Sequence, residues 1–392
     1  MKILVLGSGL MGPAAAFNAM SDPQVSGVTI CDMDKGQLKA AKAKLGGLPG
    51  GEKLTTQVLD LSDQPAATQL IEDFDVVVAA LPRPAIPLGI RAAVAAKRPL
   101  VDLSWPAETE IAELRALVED SGALVILGCG VEPGLTEIMA RYLIGKLDRV
   151  DELHIKCGGI PEKPEPPLGY KIVFGGTMLP LRDYEGFEVR NGKLVPVPRY
   201  SETEAVTFEG VGECEAWHEG FMPWLMDLEE LQGLRSGTQK TVRWPGYAAK
   251  VNTLKEMGLL GLDPIEVDGV QVAPKKLLDA LLYPKVKLQE GEKDITVLRV
   301  DAIGQKKGFP RQFRIDMVDR YDNELNFTSM ARTTAMTGAI VARMVAHGDL
   351  QAQGLLTPER VITGRLFEKL VDELGAINIH FDMMTEKRKT LH

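Results

Sequence analysis

Met1-Lys2-Ile3-Leu4-Val5-Leu6-Gly7-Ser8-Gly9-Leu10-Met11-Gly12 decides how the first part of this chain folds. Lys2 to Leu6 form an apolar run of strand length, which Gly7, Ser8 and Gly9 interrupt. Met11 to Met20 continue as an Ala-rich stretch with helical propensity, in which Pro13 is tolerated at the first turn. A strand, a G-x-G-x-x-G turn and a helix in that order are the arrangement that cradles a dinucleotide pyrophosphate. Gly7 allows the tight turn, Gly9 the close approach of a phosphate, and Gly12 the packing of helix on strand. Gly7, Ser8, Gly9, Leu10, Met11 and Gly12 are therefore expected to bind cofactor. Asp32 ends the run Val28-Thr29-Ile30-Cys31, about 20 residues past the last glycine, where a ribose-binding carboxylate belongs. Asp34 adds negative charge, no arginine follows directly, and Lys35 opens the next helix. The turn predicts NAD in preference to NADP, because a carboxylate there accepts from a 2′-hydroxyl and repels a 2′-phosphate.

Strand-like and helix-like segments alternate as far as Leu127, which predicts a Rossmann-type, doubly wound parallel sheet over residues 1–127. Ligands of such sheets lie at the carboxyl ends of the strands, so Asp60, Leu81 and Pro82 join the expected cofactor contacts. After Gly128 the pattern changes to strands with hairpin punctuation, as at Asn191-Gly192. An α+β domain with a mostly antiparallel sheet is expected over residues 128–327. The segment 328–392 reads as a return to the first domain.

The 392 residues suffice for two domains, and a net charge of −9 offers no footprint for nucleic acid or an anionic membrane surface. No apolar run approaches the length of a membrane span or has the form of a signal peptide. Cys31, Cys129, Cys157 and Cys214 make no C-x-x-C pair and read as free thiols of a cytoplasmic protein. The histidines, His392 among them, show no ligand spacing, so no metal is expected.

Four later segments point to chemistry: Val101-Asp102-Leu103-Ser104-Trp105, Gly128-Cys129-Gly130-Val131-Glu132-Pro133-Gly134-Leu135, Cys157-Gly158-Gly159-Ile160-Pro161 and Lys240-Thr241-Val242-Arg243-Trp244-Pro245-Gly246-Tyr247. At these residues, and at Ser329-Met330-Ala331-Arg332-Thr333-Thr334, the chain resembles the saccharopine dehydrogenase superfamily over almost its full length, most of all its L-lysine 6-dehydrogenase branch. The resemblance implies hydride transfer between NAD(P) and the amine or imine carbon of a lysine-like amino acid, in a two-domain enzyme that forms homodimers. Glu132 matches an acidic position beside cofactor and substrate, suited to proton transfer or to holding an ammonium; alternatively it is an acid at a helix N-terminus. Arg243, in the family's T-L-R segment with Thr241, suits bidentate binding of an α-carboxylate. Ser104 matches a family serine, whereas Trp105 replaces its tyrosine partner, and Asp102 is placed to cap the turn. Lys171, in Gly169-Tyr170-Lys171, fits a family G-Y-K or is a strand lysine. Glu215-Ala216-Trp217-His218-Glu219-Gly220 lacks the carboxylate-binding arginine of saccharopine reductases, which favours lysine. His218 is then a candidate proton carrier or a pocket liner. The alternatives are an NADP-dependent saccharopine reductase-like or carboxynorspermidine synthase-like enzyme, and a non-catalytic NAD-binding sensor.

Overall fold

The computed structural model describes residues 1–174 and 176–387. The chain divides into two compact units, one of Met1–Ile138 with Asp322–Ile379, the other of Met139–Tyr321 with the chain from His380 on.

In the first unit β1 (Lys2–Leu6), β2 (Gly27–Asp32), β3 (Leu54–Val58), β4 (Val76–Ala79), β5 (Leu100–Asp102) and β6 (Leu124–Ile126) alternate with α1 (Gly12–Met20), α2 (Lys35–Leu45), α3 (Gln64–Ile71), α4 (Ile86–Ala95) and α5 (Glu108–Ser121). A tail strand, Gly354–Leu356, completes a seven-stranded sheet in the order tail strand, β6, β5, β4, β1, β2, β3, with every pairing parallel. Strands buried on both faces need apolar side chains throughout, and Ile3 to Leu6 and Val76 to Ala79 supply them. The strand order reverses at β1, which places the topological switch point, and hence the ligand crevice, at the carboxyl end of that strand. The tail helix Thr337–Ala346 packs on α1 and on β4, and Arg343 ties the two helices together through Asn18 Oδ1 (3.2 Å) and Asp22 Oδ2 (3.0 Å).

The second unit is built on β7 (Arg149–Pro161), β8 (Gly186–Arg190), β9 (Lys193–Val197), β10 (Glu204–Phe208), β11 (Gly212–His218), β12 (Ser236–Arg243), the small hairpin β13 (Ile265–Val267) and β14 (Val270–Val272), β15 (Asp294–Lys306) and β16 (Phe309–Arg320). The main sheet runs β10-β11-β12-β7-β15-β16 and ends on a tail strand, Asp382–Lys387; β12 and β7 are parallel and the other neighbours antiparallel. The turn at Asn191-Gly192 separates β8 from β9 as its residues require, with both φ positive. Residues 170–174 contribute a single bridge, Ile172 to Lys287.

The tail corrects one expectation. Residues through Ile379 lie with the first unit, but Asp382–Lys387 pairs with β16 instead of completing that unit. An open β16 edge offers unpaired backbone groups, and Asp382–Lys387 satisfies them. Residues 388–392, also included in that expectation, lie outside the described residues. No helix among the described residues is long and apolar enough to cross a membrane.

Candidate functional site

The glycine turn has the steric form that a bound pyrophosphate demands. A Cβ on Gly12 would stand 1.9 Å from the Gly7 carbonyl oxygen, and one on Gly7, whose φ is +97°, would stand 2.4 Å from the Ala80 oxygen. A Cβ on Gly9 would find nothing nearer than Gln37 Oε1 at 3.7 Å. Gly7 and Gly12 are thus glycines for the fold, whereas Gly9 leaves open space beside the helix. No side chain caps α1 and no acid occupies its first turn, so its N-terminal dipole stays available to an anion. These residues fit a nicotinamide dinucleotide. Leu81 and Pro82 follow Ala80, whose amide donates to the Leu6 carbonyl (2.8 Å), so their loop adjoins the glycine turn.

Asp32, half-buried at the end of β2, accepts from the Ser8 amide (2.7 Å) and hydroxyl (2.9 Å) through Oδ2, and from the Asp34 amide (2.9 Å) through Oδ1. This holds the carboxylate against the turn. Asp34 caps α2 by accepting from the amides of Gly36 (2.7 Å) and Gln37 (3.1 Å). Asp60 is exposed and closes a local turn, accepting from the Ser62 amide (2.9 Å) and hydroxyl (2.8 Å).

Farther along the sheet, the segments after β5 and β6 are hydrogen-bonded to each other. The amides of Gly128 and Cys129 donate to the carbonyls of Ser104 and Asp102, both at 2.8 Å. Trp105 packs on the core of this unit, and its indole donates to Glu108 (3.1 Å). Glu132 is half-buried in the turn before α6 (Leu135–Ile144). The helix N-terminal acid is another residue: Glu137, buried, accepts from the Gly134 amide (2.6 Å) and the Thr136 hydroxyl (2.7 Å).

Asp102 does cap its turn, accepting the Ser104 amide through Oδ1 (2.8 Å), but its Oδ2 is buried without a partner. Burial pushes this carboxyl up to about 8 from 3.8. A folded state that keeps the proton while the unfolded chain releases it loses stability as pH rises from about 4 to about 8. Asp102→Asn keeps the shape without the ionisation, so its melting temperature should gain on the wild type progressively across that window. A difference that stays constant with pH would refute the assignment.

In the second unit the chemistry gathers on one face of the sheet. Successive residues of a strand point to opposite faces, and β11 pairs Glu215 with Arg243 and Trp217 with Thr241. Trp217 packs with Tyr170, Tyr200 and Tyr247 on this face, its ring 4.5 Å from that of Tyr200 and stacked 5.9 Å from that of Tyr247. Arg243, 5% exposed, lies over Tyr170 (4.9 Å) and Tyr247 (5.8 Å). Its Nη1 donates to the Val242 carbonyl (2.8 Å), its Nε has no partner, and among the described residues no carboxylate pairs with it. Glu215, across the strand pair, spends both oxygens on the amides of Gly246 (2.8 Å) and Ala248 (2.6 Å), capping α7 (Tyr247–Glu256). Thr241 donates weakly to Glu219 (3.5 Å).

Alternation puts His218, read from the sequence as a proton carrier or a pocket liner, on the face opposite Arg243. Its Nε2 lies 3.3 Å from Glu202 and 3.7 Å from Glu188, and Lys240 is its cross-strand partner. Burial, and then the Lys240 charge, hold its basicity below the usual imidazole range. The ligand atoms of Glu188, Glu202 and His218 lie within 4.8 Å of one another, but Arg190 pairs with both glutamates and already supplies a cation there. Lys171, 8% exposed, pairs with Glu292 (2.5 Å) and Glu165 (3.6 Å), which leaves Tyr170 as the residue of that segment facing Arg243.

Nothing in the sequence marks Tyr170, Tyr200, Trp217 and Tyr247 as one cluster, or a second charged group beside them. Arg182 and Arg199 both donate to Glu219, and the backbone amide of Arg182 donates to the Tyr200 hydroxyl (2.9 Å). Only the alternation of Trp217 and Glu219 with His218 hints at this arrangement in the sequence.

Two family models match the chain, and the second runs on through residues 322–379, which lie with the first unit. Residues 3–126 match the family model for the saccharopine dehydrogenase NADP binding domain, and residues 130–379 that for the saccharopine dehydrogenase C-terminal domain. The chain is 25% identical to alpha-aminoadipic semialdehyde synthase of Bos taurus over 95% of its own length but 47% of that protein, so it spans about half of that relative. It is 23% identical to saccharopine dehydrogenase [NADP(+), L-glutamate-forming] of Schizosaccharomyces pombe, over 95% of this chain and 97% of that one. The apo saccharopine dehydrogenase (L-Glu forming) of Saccharomyces cerevisiae shares the fold, with a TM-score of 0.80 at 20% identity, covering 98% of this chain and 99% of that one. The chain belongs to the saccharopine dehydrogenase family, whose members are nicotinamide-dependent oxidoreductases.

Proposed function

We propose that this chain oxidises an amine on a lysine-like α-amino acid, with NAD as the hydride acceptor. One observation carries the reading of the substrate: Arg243 is a buried guanidinium over two tyrosine rings, and among the described residues no carboxylate pairs with it. A charge so placed calls for an anionic partner, and a planar guanidinium matches a carboxylate bidentately. Tyr170, Trp217 and Tyr247 would bound an aliphatic side chain and keep water from it. Glu132 is the residue proposed to take the amine proton, which must leave before hydride can. The nicotinamide, when bound, supplies the redox chemistry; the protein contributes orientation and proton transfer.

The preference for NAD rests on Asp32, held against the glycine turn, whose carboxylate would accept from a ribose 2′-hydroxyl and repel a 2′-phosphate, with Asp34 adding negative charge beside it. The matched family domain and the fission-yeast relative are described as NADP-binding or NADP-using, so the alternative is an NADP-dependent enzyme acting on saccharopine. Four assays separate the readings: NAD or NADP, each with L-lysine or saccharopine. Reduced cofactor is expected with NAD, and Asp32→Ser should narrow the ratio of kcat/KM between NAD and NADP by about tenfold or more, near 1.4 kcal/mol. Faster turnover with NADP in the unmodified protein would overturn the cofactor assignment.

A further inference from the structure

Ser329-Met330-Ala331-Arg332-Thr333-Thr334 opens the helical tail segment that packs on α1, and Arg332–Met336 within it widens into a π turn. Such turns recur at functional sites inside otherwise regular helices. Every residue from 329 to 344 is buried except Thr334, which is half-buried. The neighbouring threonines are spent on the backbone: the Thr333 hydroxyl donates to the Ser329 carbonyl (2.9 Å) and the Thr337 hydroxyl to the Thr333 carbonyl (2.7 Å). The Thr334 hydroxyl instead meets the Met330 sulfur, a weak acceptor, at 3.4 Å. It therefore keeps hydrogen-bonding capacity at the one place where this stretch is open.

Close packing fixes where that place is. A Cβ on Gly130 would stand 3.0 Å from Thr334 Cγ2 and 2.8 Å from the Leu103 carbonyl oxygen. One on Gly338 would stand 2.2 Å from Leu103 Cδ2 and 2.9 Å from the Cys129 oxygen. Leu103 follows β5, and Cys129 and Gly130 follow β6, so Thr334 lies at the carboxyl ends of those strands. Asp32, after β2, stands where the ribose of an adenosine half belongs. A dinucleotide with its pyrophosphate on the β1 turn then extends its other half past β4 toward β5 and β6. That half ends in nicotinamide, whose carboxamide is a neutral group with both a donor and an acceptor. A hydroxyl donates and accepts without charge, which suits it to a site beside a ring that is cationic when oxidised.

We infer that Thr334 binds the cofactor, its hydroxyl hydrogen-bonding the nicotinamide carboxamide, so that the tail helix completes a crevice whose glycine turn lies at the other end of the chain. This rests on the cofactor being a nicotinamide dinucleotide, and on neither the choice of NAD over NADP nor the amine substrate. Because the Thr334 methyl packs on Gly130, the side chain is fixed relative to the turn that carries Glu132.

The test is a calorimetric titration of the full chain with NAD and with ADP-ribose, which is the same ligand without nicotinamide. Thr334→Val keeps the shape and removes the hydroxyl. It should weaken NAD binding by about fivefold or more, the scale of one hydrogen bond, and leave ADP-ribose binding unchanged. Thr334→Ser, which keeps the hydroxyl, should hold NAD binding within about twofold of the unmodified protein. Unchanged NAD affinity in Thr334→Val overturns the inference; so does an equal loss for both ligands, or a serine variant no better than the valine one. The same titrations with NADP and 2′-phospho-ADP-ribose cover the other cofactor. If this second pair alone binds, the preference for NAD fails and the role of Thr334 is read from it in the same way.

Discussion

Gly9→Ala is expected to weaken cofactor binding severely and leave the fold intact, whereas Gly12→Ala is expected to destabilise the fold itself. At Gly9 the new methyl meets only Gln37 Oε1, at an ordinary contact distance of 3.7 Å, so the free protein has no reason to rearrange. That methyl would instead occupy the ground over which a pyrophosphate must approach the backbone. A loss of about two orders of magnitude in affinity, near 2.7 kcal/mol, is the expected scale. At Gly12 the methyl would lie 1.9 Å from the Gly7 oxygen and 2.9 Å from its carbon, and backbone cannot swing aside as a side chain can. Overpacking of this kind costs about 1–3 kcal/mol or more, and for a domain of this size each kcal/mol lowers the melting temperature by about 2–4 °C. Thermal melts with and without NAD read both effects. The unmodified protein and Gly12→Ala should differ without ligand; the unmodified protein and Gly9→Ala should differ only in the rise that NAD produces. A Gly9→Ala protein still stabilised by NAD to the full extent would remove the glycine turn as the binding site.

The same contrast shows what could be read from the chain. Gly7, Gly12 and Asp32 are legible because their work is local: a turn, a helix start and a carboxylate one crossover away, all set by backbone geometry over some 30 residues. Asn191-Gly192 is legible for the same reason. The charged face of the second unit is assembled from β11, β12 and the segments around Arg182 and Arg199, and the contacts that gather Arg182, Arg199 and Thr241 on Glu219 join residues far apart in the chain. Arg243 is legible through its motif, but its lack of a counter-charge depends on Glu215 being engaged by the amides of Gly246 and Ala248. His218 shows the limit most clearly. It stands one residue from Trp217, and that one step in a strand sends it to the other face, toward Glu188 and Glu202. The tail strand Asp382–Lys387 is a similar case, since nothing in its own residues names β16 as the edge it joins.

Arg243→Met should move function and stability in opposite directions. If Arg243 holds the substrate α-carboxylate, its loss removes a desolvated charge pair, for which about 2–5 kcal/mol is typical, so kcat/KM for the amino acid should fall by roughly 30- to several thousand-fold. Stability without ligand depends on a different set of interactions. The substitution gives up cation–π contacts worth about 0.5–2 kcal/mol and one hydrogen bond to the Val242 carbonyl worth about 1 kcal/mol. Against these stands the cost of a buried guanidinium with no carboxylate partner among the described residues, several kcal/mol for a charge taken from water, which methionine avoids at similar volume. Relief of that desolvation outweighs the lost contacts, so the melting temperature of the ligand-free variant should equal or exceed that of the unmodified protein. Arg243→Lys should rescue little activity, because a single ammonium cannot reproduce the planar fork or its stacking on Tyr170 and Tyr247. Residues that merely hold a fold together lose stability and activity in step. A ligand-binding charge kept at the expense of stability does the reverse. An Arg243→Met protein that melts several degrees lower, with kcat/KM reduced only in proportion to the folded fraction, would make Arg243 structural and leave the substrate carboxylate to be sought elsewhere.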